Sequence, residues 1–241
     1  MKYDNIVEFE VYGDYALFSD PITRVGGEKC TYAVPSYEAI KGILHSIYWK
    51  PTITWIVDEI RVMNQIQMET KGIRTIKYHK AGNDLSYYTY LKDCRYQVKA
   101  HFEWNMNRPD LEKDRDENKH YLIAKRMIER GGRRDVYLGT RECYAYVEPC
   151  GYGSKVGYYD NVSKYDFGIM YHGITYADEA YSDETKDSMT VRLWHCVMRD
   201  GIIKYERPEK CMHRHVRKMG IKPFGVEQNN FSGINEFKEV K

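Results

Sequence analysis

Three residues of the chain have side chains suited to acid–base chemistry on a phosphodiester. They are Tyr48, in the stretch HSIYWKP, and the neighbours Lys119 and His120, in NKHY. RNA is cleaved by its own 2′-hydroxyl, so the protein must supply a proton donor or acceptor that works near neutrality and a cation for the developing phosphorane charge. In this chemistry His120 is the general acid or base, Lys119 stabilises charge, and Tyr48 orients or transfers a proton. The products are a 2′,3′-cyclic phosphate and a 5′-hydroxyl.

A predicted first helix positions Tyr48. Ser36 is a plausible N-cap for this helix, and Pro51 ends it because a proline disfavours helical geometry in the residue before it. The apolar stripe follows helical spacing at Ile40, Ile43, Leu44 and Ile47. Tyr48 falls at the edge of that stripe, at the boundary between core and surface.

A second predicted helix, from about Asn118 to Gly131, positions the other two residues. The pair Gly131-Gly132 supplies the stop, and Asp114 with Glu117 forms a capping box if the helix begins earlier. At 100° steps His120 shares a face with Ile123, Ala124 and Met127 and points toward the neighbouring layer.

His120 has two interpretations at this stage. A histidine on an apolar face is usually a core residue with satisfied hydrogen bonds. At a helix N-terminus and beside Lys119, however, free N–H groups and the helix dipole favour a bound anion.

Charge is distributed unevenly, although the formal net charge is only +2. Residues 119–141 and 204–222 each carry seven Lys or Arg against two acidic residues, and residues 175–189 have a net charge of −4. Two basic patches predict a polyanionic partner on one side of the molecule; solvated charged faces are the alternative. The basic side chains expected to contact RNA are Lys41, Arg126, Arg130, Arg133, Arg134 and Arg141, with Arg133 and Arg134 alternatively stabilising a turn. The first interpretation of the 23 tyrosines is that they pack in a β-sheet. The second is that some stack on unpaired bases of RNA.

Other site classes are disfavoured. The glycine-rich stretch 151–157 lacks the P-loop pattern and a following helix, so it predicts a loop and no nucleotide cofactor. Cys211, His213 and His215 form C-x-H-x-H without a second ligand pair, so no metal site is predicted. The six cysteines include no C-x-x-C pair, which favours free thiols and a cytoplasmic location. No apolar run approaches the roughly 20 residues of a membrane span, and the N-terminus does not have the pattern of a signal peptide.

The order of predicted elements indicates an α+β fold. Up to residue 149 it is β-α-β-β-α-β with an extra hairpin, typical of a ferredoxin-like or RRM-like sandwich, and the remainder reads as antiparallel β-sheet. We therefore expect a domain over 1–149 and a second, β-sheet domain over 150–241.

Several ordered blocks resemble one known family. GDYALFSDP, VPSYEAIKGILHSIYWKP, the NKH step, ERGGRRDVYLGTRECYAYVEP and DFGIMYHG together are similar to the CRISPR-associated Cas-five family of type I-C systems, the Dvulg subtype, in the RAMP superfamily. The resemblance spans nearly the whole chain. It implies a ferredoxin-like N-terminal domain followed by a β-sheet region.

The resemblance also implies a function. Such enzymes are metal-independent endoribonucleases that cut the repeat transcript on the 3′ side of its hairpin and leave guide RNAs with a 5′ handle. The catalytic Tyr, Lys and His of the family correspond to Tyr48, Lys119 and His120. The implied partners are the repeat RNA, the backbone and large subunits of the DNA-targeting complex, and target DNA within that complex. The alternative is a non-catalytic subunit that binds the 5′ handle.

Overall fold

A computed structural model of the chain describes residues 5–21, 23–77 and 81–220. The end of the predicted C-terminal region, residues 221–241, lies outside the described residues, as does Lys222 of the second basic patch. Ten strands and two α-helices occur in the described chain. The strands are β1 (Val7–Ala16), β2 (Ile53–Val62), β3 (Gln67–Ile76), β4 (Asn83–Trp104), β5 (Val136–Tyr137), β6 (Tyr144–Pro149), β7 (Tyr165–Thr175), β8 (Ser188–Arg199), β9 (Ile202–Lys204) and β10 (Met212–Lys218). The helices are α1 (Tyr37–Ile47) and α2 (Glu117–Glu129).

The strands form one large antiparallel sheet. Its order is β10-β8-β9-β2-β4-β1-β6-β5, with β3 paired to the first half of β4 and β7 paired to β8. The protein is therefore a mixed α/β molecule around an antiparallel sheet. Strands from both predicted domains belong to the same sheet, because β9 pairs with β2 over Arg61↔Ile202 to Glu59↔Lys204.

The helix boundaries follow from local chemistry. The Ser36 side chain accepts a hydrogen bond from the backbone N–H of Ala39, which caps α1. The N-cap of α2 is Asp116, which accepts from the backbone N–H of Lys119, so the capping box predicted at Asp114 is not the one used. At its C-terminal end, Gly132 donates to the carbonyl of Met127 at 2.8 Å, a bond that requires the positive φ of the glycine pair.

One apolar core joins the helices to the sheet. The buried face of α1 carries Ile40, Leu44 and Ile47, and that of α2 carries His120, Ala124, Met127 and Ile128. The predicted helical stripes are thus the buried ones. The two helices contact each other, and α2 also contacts β1 and β6.

The C-terminal strands attach to α1 through buried polar contacts. Arg192 of β8 is fully buried and donates to Glu38 at 2.8 Å, and the Tyr205 hydroxyl donates to the carbonyl of Pro35 at 2.7 Å. The His172 ring stacks on Tyr37 with ring centroids 4.2 Å apart. These contacts fix the N-terminal half of α1 while its C-terminal end faces α2.

Candidate active site

Tyr48 lies where α1 stops. Its backbone is extended, with φ −156° and ψ 124°, while its N–H still closes the last helical turn on the carbonyl of Leu44. The indole N–H of Trp55 donates to the Tyr48 carbonyl at 2.7 Å and fixes the position of the turn. The chain leaves the helix three residues before Pro51, and the Tyr48 side chain packs inward with 2% exposure.

His120 lies in the first turn of α2 and is fully buried. Its Nδ1 is 2.7 Å from the Tyr48 hydroxyl, and its Nε2 is 2.8 Å from the backbone carbonyl of Asp114. A carbonyl only accepts, so Nε2 carries the hydrogen, and in the Nε2–H tautomer Nδ1 accepts from Tyr48. The result is a directed chain from the Tyr48 hydroxyl through the imidazole to the Asp114 backbone.

Aromatic rings surround the imidazole. Phe102 and Trp104 of β4 approach it edge-on, with centroids at 6.1 and 5.8 Å. They exclude water from the side of the ring that faces the sheet. The imidazole therefore exchanges protons most directly through the Tyr48 hydroxyl.

Asp114 connects His120 to Lys119. The Lys119 ammonium is 2.5 Å from Asp114 Oδ1, and Asp114 Oδ2 is 3.5 Å from His120 Nε2. The Thr52 hydroxyl, immediately after Pro51, donates to Oδ2 at 2.7 Å. Hydrogen bonds from Lys119 and then Thr52, with the nearby positive charge, lower the pKa of Asp114 to about 2, so the carboxylate is ionised at neutral pH.

The electrostatics keep Tyr48 protonated. Burial is the main cause of its raised pKa, the Asp114 carboxylate adds to it, and the Arg133 charge opposes it. A neutral hydroxyl at physiological pH is a hydrogen-bond donor, as its contact with Nδ1 requires.

The structure thus brings all three predicted catalytic residues into one hydrogen-bonded cluster. They are not equally accessible: Tyr48 and His120 are buried, whereas 47% of the Lys119 side chain is exposed. An approaching anion meets Lys119 first, with the Tyr48–His120 pair beneath it.

The five predicted arginines lie on the surface of the molecule. Arg126, Arg130, Arg133, Arg134 and Arg141 are all exposed. The backbone N–H groups of Arg133 and Arg134 donate to the carbonyl of Ser46 at 3.2 and 3.0 Å, which fixes the loop after α2 against the end of α1. The turn-stabilising role considered for these two residues therefore belongs to their backbone, and their side chains remain exposed.

Lys41 is placed differently from the other predicted RNA contacts. It is 2% exposed, and its ammonium pairs with Glu179. Lys41 therefore offers no charge to solvent, and we leave it out of the proposed RNA surface. Asp114 and Thr52, in contrast, are members of the cluster that the sequence did not identify as such.

The described residues were compared with the expectations for cysteines, metal ions and membrane-spanning helices. All six cysteines are free thiols. Within 5–21, 23–77 and 81–220, no group of three or more His, Cys, Asp or Glu side chains is arranged to hold a metal ion. No helix among the described residues is long and apolar enough to cross a membrane.

Comparison with known proteins identifies the family. A family model described as CRISPR-associated protein (Cas_Cas5), of the Cas5d group, matches residues 6–206. The chain belongs to the Cas5d family. This agrees with the resemblance seen in the ordered sequence blocks.

Two curated Cas5d relatives are named CRISPR pre-crRNA endoribonucleases. The one from Mannheimia succiniciproducens is 39% identical over 66 residues, or 27% of this chain. The one from Thermus thermophilus is 28% identical over 157 residues, or 59% of this chain. The matched segments span 28% and 63% of the lengths of these relatives.

Two solved structures match more of the chain. A CRISPR-associated protein superposes with a TM-score of 0.73 at 37% identity, covering 87% of this chain and 96% of that one. A functionally uncharacterized protein from Streptococcus mutans superposes with a TM-score of 0.71 at 38% identity, with the same coverage. This chain thus shares the fold of these two solved structures over most of its length.

Proposed function

We propose that the protein is an endoribonuclease that cleaves the CRISPR repeat transcript on the 3′ side of the repeat hairpin and leaves a crRNA with a 5′ handle. The observation that carries the proposal is the Tyr48 hydroxyl hydrogen-bonded to a buried His120 beneath an exposed Lys119. Two Cas5d relatives named pre-crRNA endoribonucleases support the choice of substrate.

The proposed mechanism is metal-independent attack by the 2′-hydroxyl. The Tyr48 oxygen takes the 2′ proton as its own proton passes to His120 Nδ1, along the direction of the existing hydrogen bond. The 2′ oxygen attacks phosphorus, the bond to the 5′ oxygen breaks, and that oxygen takes a proton from solvent. The Lys119 ammonium stabilises the phosphorane charge, and a 2′,3′-cyclic phosphate and a 5′-hydroxyl remain.

Asp114 acts in this scheme as a positioning residue. Its carbonyl holds Nε2–H, so Nδ1 faces Tyr48, and its carboxylate lies 3.5 Å from the nitrogen that shares the imidazolium charge. The same carboxylate forms an ion pair with the Lys119 ammonium. A substrate phosphate therefore competes with this carboxylate for the exposed Lys119 ammonium, while the Asp114 carbonyl keeps its bond to Nε2.

The test is cleavage of repeat RNA in EDTA, with and without a 2′-deoxy substitution at the scissile nucleotide. We expect EDTA-resistant cleavage that the deoxy substitution abolishes; cleavage of the deoxy substrate would refute 2′-hydroxyl attack. Single-turnover rates of Tyr48→Phe and His120→Ala test the site. The exposed His195, which contacts Asp166 at the surface, provides a matched control in His195→Ala.

The second candidate is a non-catalytic subunit that binds the 5′ handle. It is favoured by one observation: both ring nitrogens of His120 are already satisfied inside the protein, as in a structural histidine. Tight RNA binding by the wild-type protein without cleavage, at any pH between about 6 and 9, would establish this alternative.

The same proposal includes a division of the chain into two domains and a set of partner molecules. The order β6-β1-β4-β2, with α1 and α2 packed on these strands, supports a ferredoxin-like unit over 1–149, followed by a β-sheet domain over 150–241. The proposed partners are the backbone and large subunits of the type I-C complex, and target DNA within it. Isolation of a stoichiometric complex with those subunits and crRNA would test this assembly.

A further inference from the structure

A groove of about 500 Å³ runs along the outer surface of α1. One side is the helix face that carries Ala39, Gly42 and Ser46, whose small side chains leave it shallow. The opposite sides are the end of β1, the turn between β5 and β6, and Tyr171 of β7. Ser46 lies at the C-terminal end of α1, the end of the helix that Tyr48 follows, so one end of the groove lies toward the same end of α1 as the candidate active site.

The lining of the groove suits a flat, polar ring. Tyr32, Tyr137 and Tyr171 supply aromatic surface, and Ser and Thr hydroxyls with the Glu38 carboxylate supply acceptors and donors. Glu38 and Tyr171 both line the groove, and burial and then the Glu38 charge raise the pKa of Tyr171 to about 12. Among the residues that the structure describes, no Lys or Arg lines the groove, so its interior favours a nucleobase over a phosphate.

Three arginines lie beside the groove. The backbone of Arg133 and Arg134 is hydrogen-bonded to Ser46, and the Arg141 guanidinium lies 5.9 Å from the centre of the Tyr137 ring. Within the described part of the chain none of these guanidinium groups forms a salt bridge, and all three are exposed. They are available for phosphates on either side of a base that enters the groove.

We infer that the α1 groove binds one unpaired nucleotide of the RNA next to the scissile position. The base inserts among the tyrosines and is read at its edge by Glu38 and the hydroxyls, while its flanking phosphates contact Arg133, Arg134 and Arg141. The volume lies within the range of small-molecule sites, about 300–1,000 Å³. The inference rests on the proposed function and adds to it a site for base recognition separate from the cleavage chemistry.

Gly42 makes the groove testable without disturbing its walls. It is exposed in the middle of α1, and a Cβ built on it meets no atom within 4 Å. Leucine is a better helix former than glycine, so Gly42→Leu keeps the helix and fills the groove, whereas Gly42→Ala adds only a methyl group and serves as the matched control. Loss of one stacked base weakens RNA binding by about 5- to 150-fold. We expect that loss for Gly42→Leu and a smaller loss for Gly42→Ala, because the effect should grow with the volume added to the groove.

Changes to the RNA test the groove independently of any protein variant. Single abasic substitutions along the unpaired nucleotides of the repeat should reveal one position whose base contributes to binding by the wild-type protein. Removing the base at that position should not weaken RNA binding by Gly42→Leu any further, because the leucine side chain already occupies the groove.

The outcomes separate the two proposals. If the wild-type protein neither binds nor cleaves repeat RNA, the proposed function and the groove assignment both fail. If it binds and cleaves, but Gly42→Leu equals Gly42→Ala, only the groove assignment is overturned. An abasic scan of the wild-type protein in which no position changes affinity more than about twofold overturns it as well, whether or not Gly42→Leu folds.

Discussion

Replacing Asp114 with Asn removes one charge from the centre of the candidate active site and keeps nearly everything else. The side-chain shape is preserved, and so is the backbone carbonyl that holds His120. The pKa of Asp114 is about 2, against an ordinary value of 3.8. At 1.36 kcal/mol per pKa unit, this difference corresponds to at most about 2.5 kcal/mol of folding free energy. Because 29% of the side chain is exposed to solvent, we expect Asp114→Asn to cost about 1–2 kcal/mol at pH 7.

The pH dependence of that cost is the distinguishing measurement. The pKa of Asp114 is depressed in the folded state, so its contribution is present above about pH 4 and is lost as the pH falls through about 2. Urea unfolding at pH 7 and at pH 2.5 should therefore show a difference from wild type that shrinks in acid. An exposed aspartate, Asp14, gives the matched control Asp14→Asn, for which we expect no such difference. An equal free-energy difference at both pH values would refute the assigned role of the charge.

The same variant should separate binding from chemistry. Removing an anion about 6 Å from a bound phosphate changes the interaction by about 0.7 kcal/mol in water, so RNA should bind about threefold more tightly at low salt. Cleavage at saturating protein should nevertheless slow, by about tenfold, because the imidazolium loses its neighbouring carboxylate. General structural damage would weaken both properties, so weaker binding together with slower cleavage would refute the proposal.

Three further predictions concern the surrounding residues. Tyr48→Phe leaves Nδ1 of the buried His120 without a donor, so it should cost about 1–3 kcal/mol in urea unfolding and slow single-turnover cleavage by about 10²- to 10⁴-fold. The double variant Arg133→Ala/Arg134→Ala should weaken RNA binding and reduce the slope of log K against log salt by about 1.4, since each phosphate contact on single-stranded RNA contributes about 0.7. Arg192→Met removes a fully buried guanidinium that donates to Glu38 and Thr175. Since the Glu38 side chain is 33% exposed and Lys41 also lies 4.0 Å from it, the loss of these hydrogen bonds should cost about 1–3 kcal/mol in urea unfolding.

Matched controls exist for each of these variants. Tyr158 is exposed, so Tyr158→Phe should change neither stability nor cleavage. Lys186→Ala removes an exposed charge from the acidic segment 175–189, outside both basic patches, and should leave the salt slope unchanged. Arg199→Met, at the exposed end of β8, should be close to neutral. Wild-type cleavage by Tyr48→Phe, an unchanged salt slope, or a neutral Arg192→Met would contradict the respective prediction.

The helices and their buried faces could be predicted because the signals are local. Ser36 and Pro51 bound α1, the 3.6-residue period identifies its apolar stripe, and the same period places His120 on the inner face of α2. The two residues that flank the chemistry, Tyr48 and His120, each lie at a helix boundary. Boundaries are marked in sequence by caps and by proline, so the position of each residue at its helix end could be predicted locally, whereas the approach of the two helix ends to each other could not.

What could not be predicted depends on contacts between distant segments. Lys41 has the sequence context of an exposed helix residue, and it is buried because Glu179, 138 positions away, covers it. Asp114 ends a short 3-10 helix (Pro109–Asp114) with no periodic pattern, and its role arises only when Thr52 and His120 meet it. The strand β10 is mostly exposed at the sheet edge, so its sequence MHRHVRK lacks the apolar alternation that signals a strand.

The Tyr48–His120 hydrogen bond depends on the exact length of α1. Tyr48 and Thr52 lie on either side of the turn at Pro51, and both reach the Asp114–His120 unit at the start of α2. One further residue in α1 would rotate the following side chain by about 100°, which would carry Tyr48 away from Nδ1 and break the directed hydrogen bond. The residue at which α1 ends therefore matters as much to the proposed chemistry as the identity of the tyrosine. Moving the helix stop by one residue should abolish cleavage while leaving the exposed arginines, and with them RNA binding, in place.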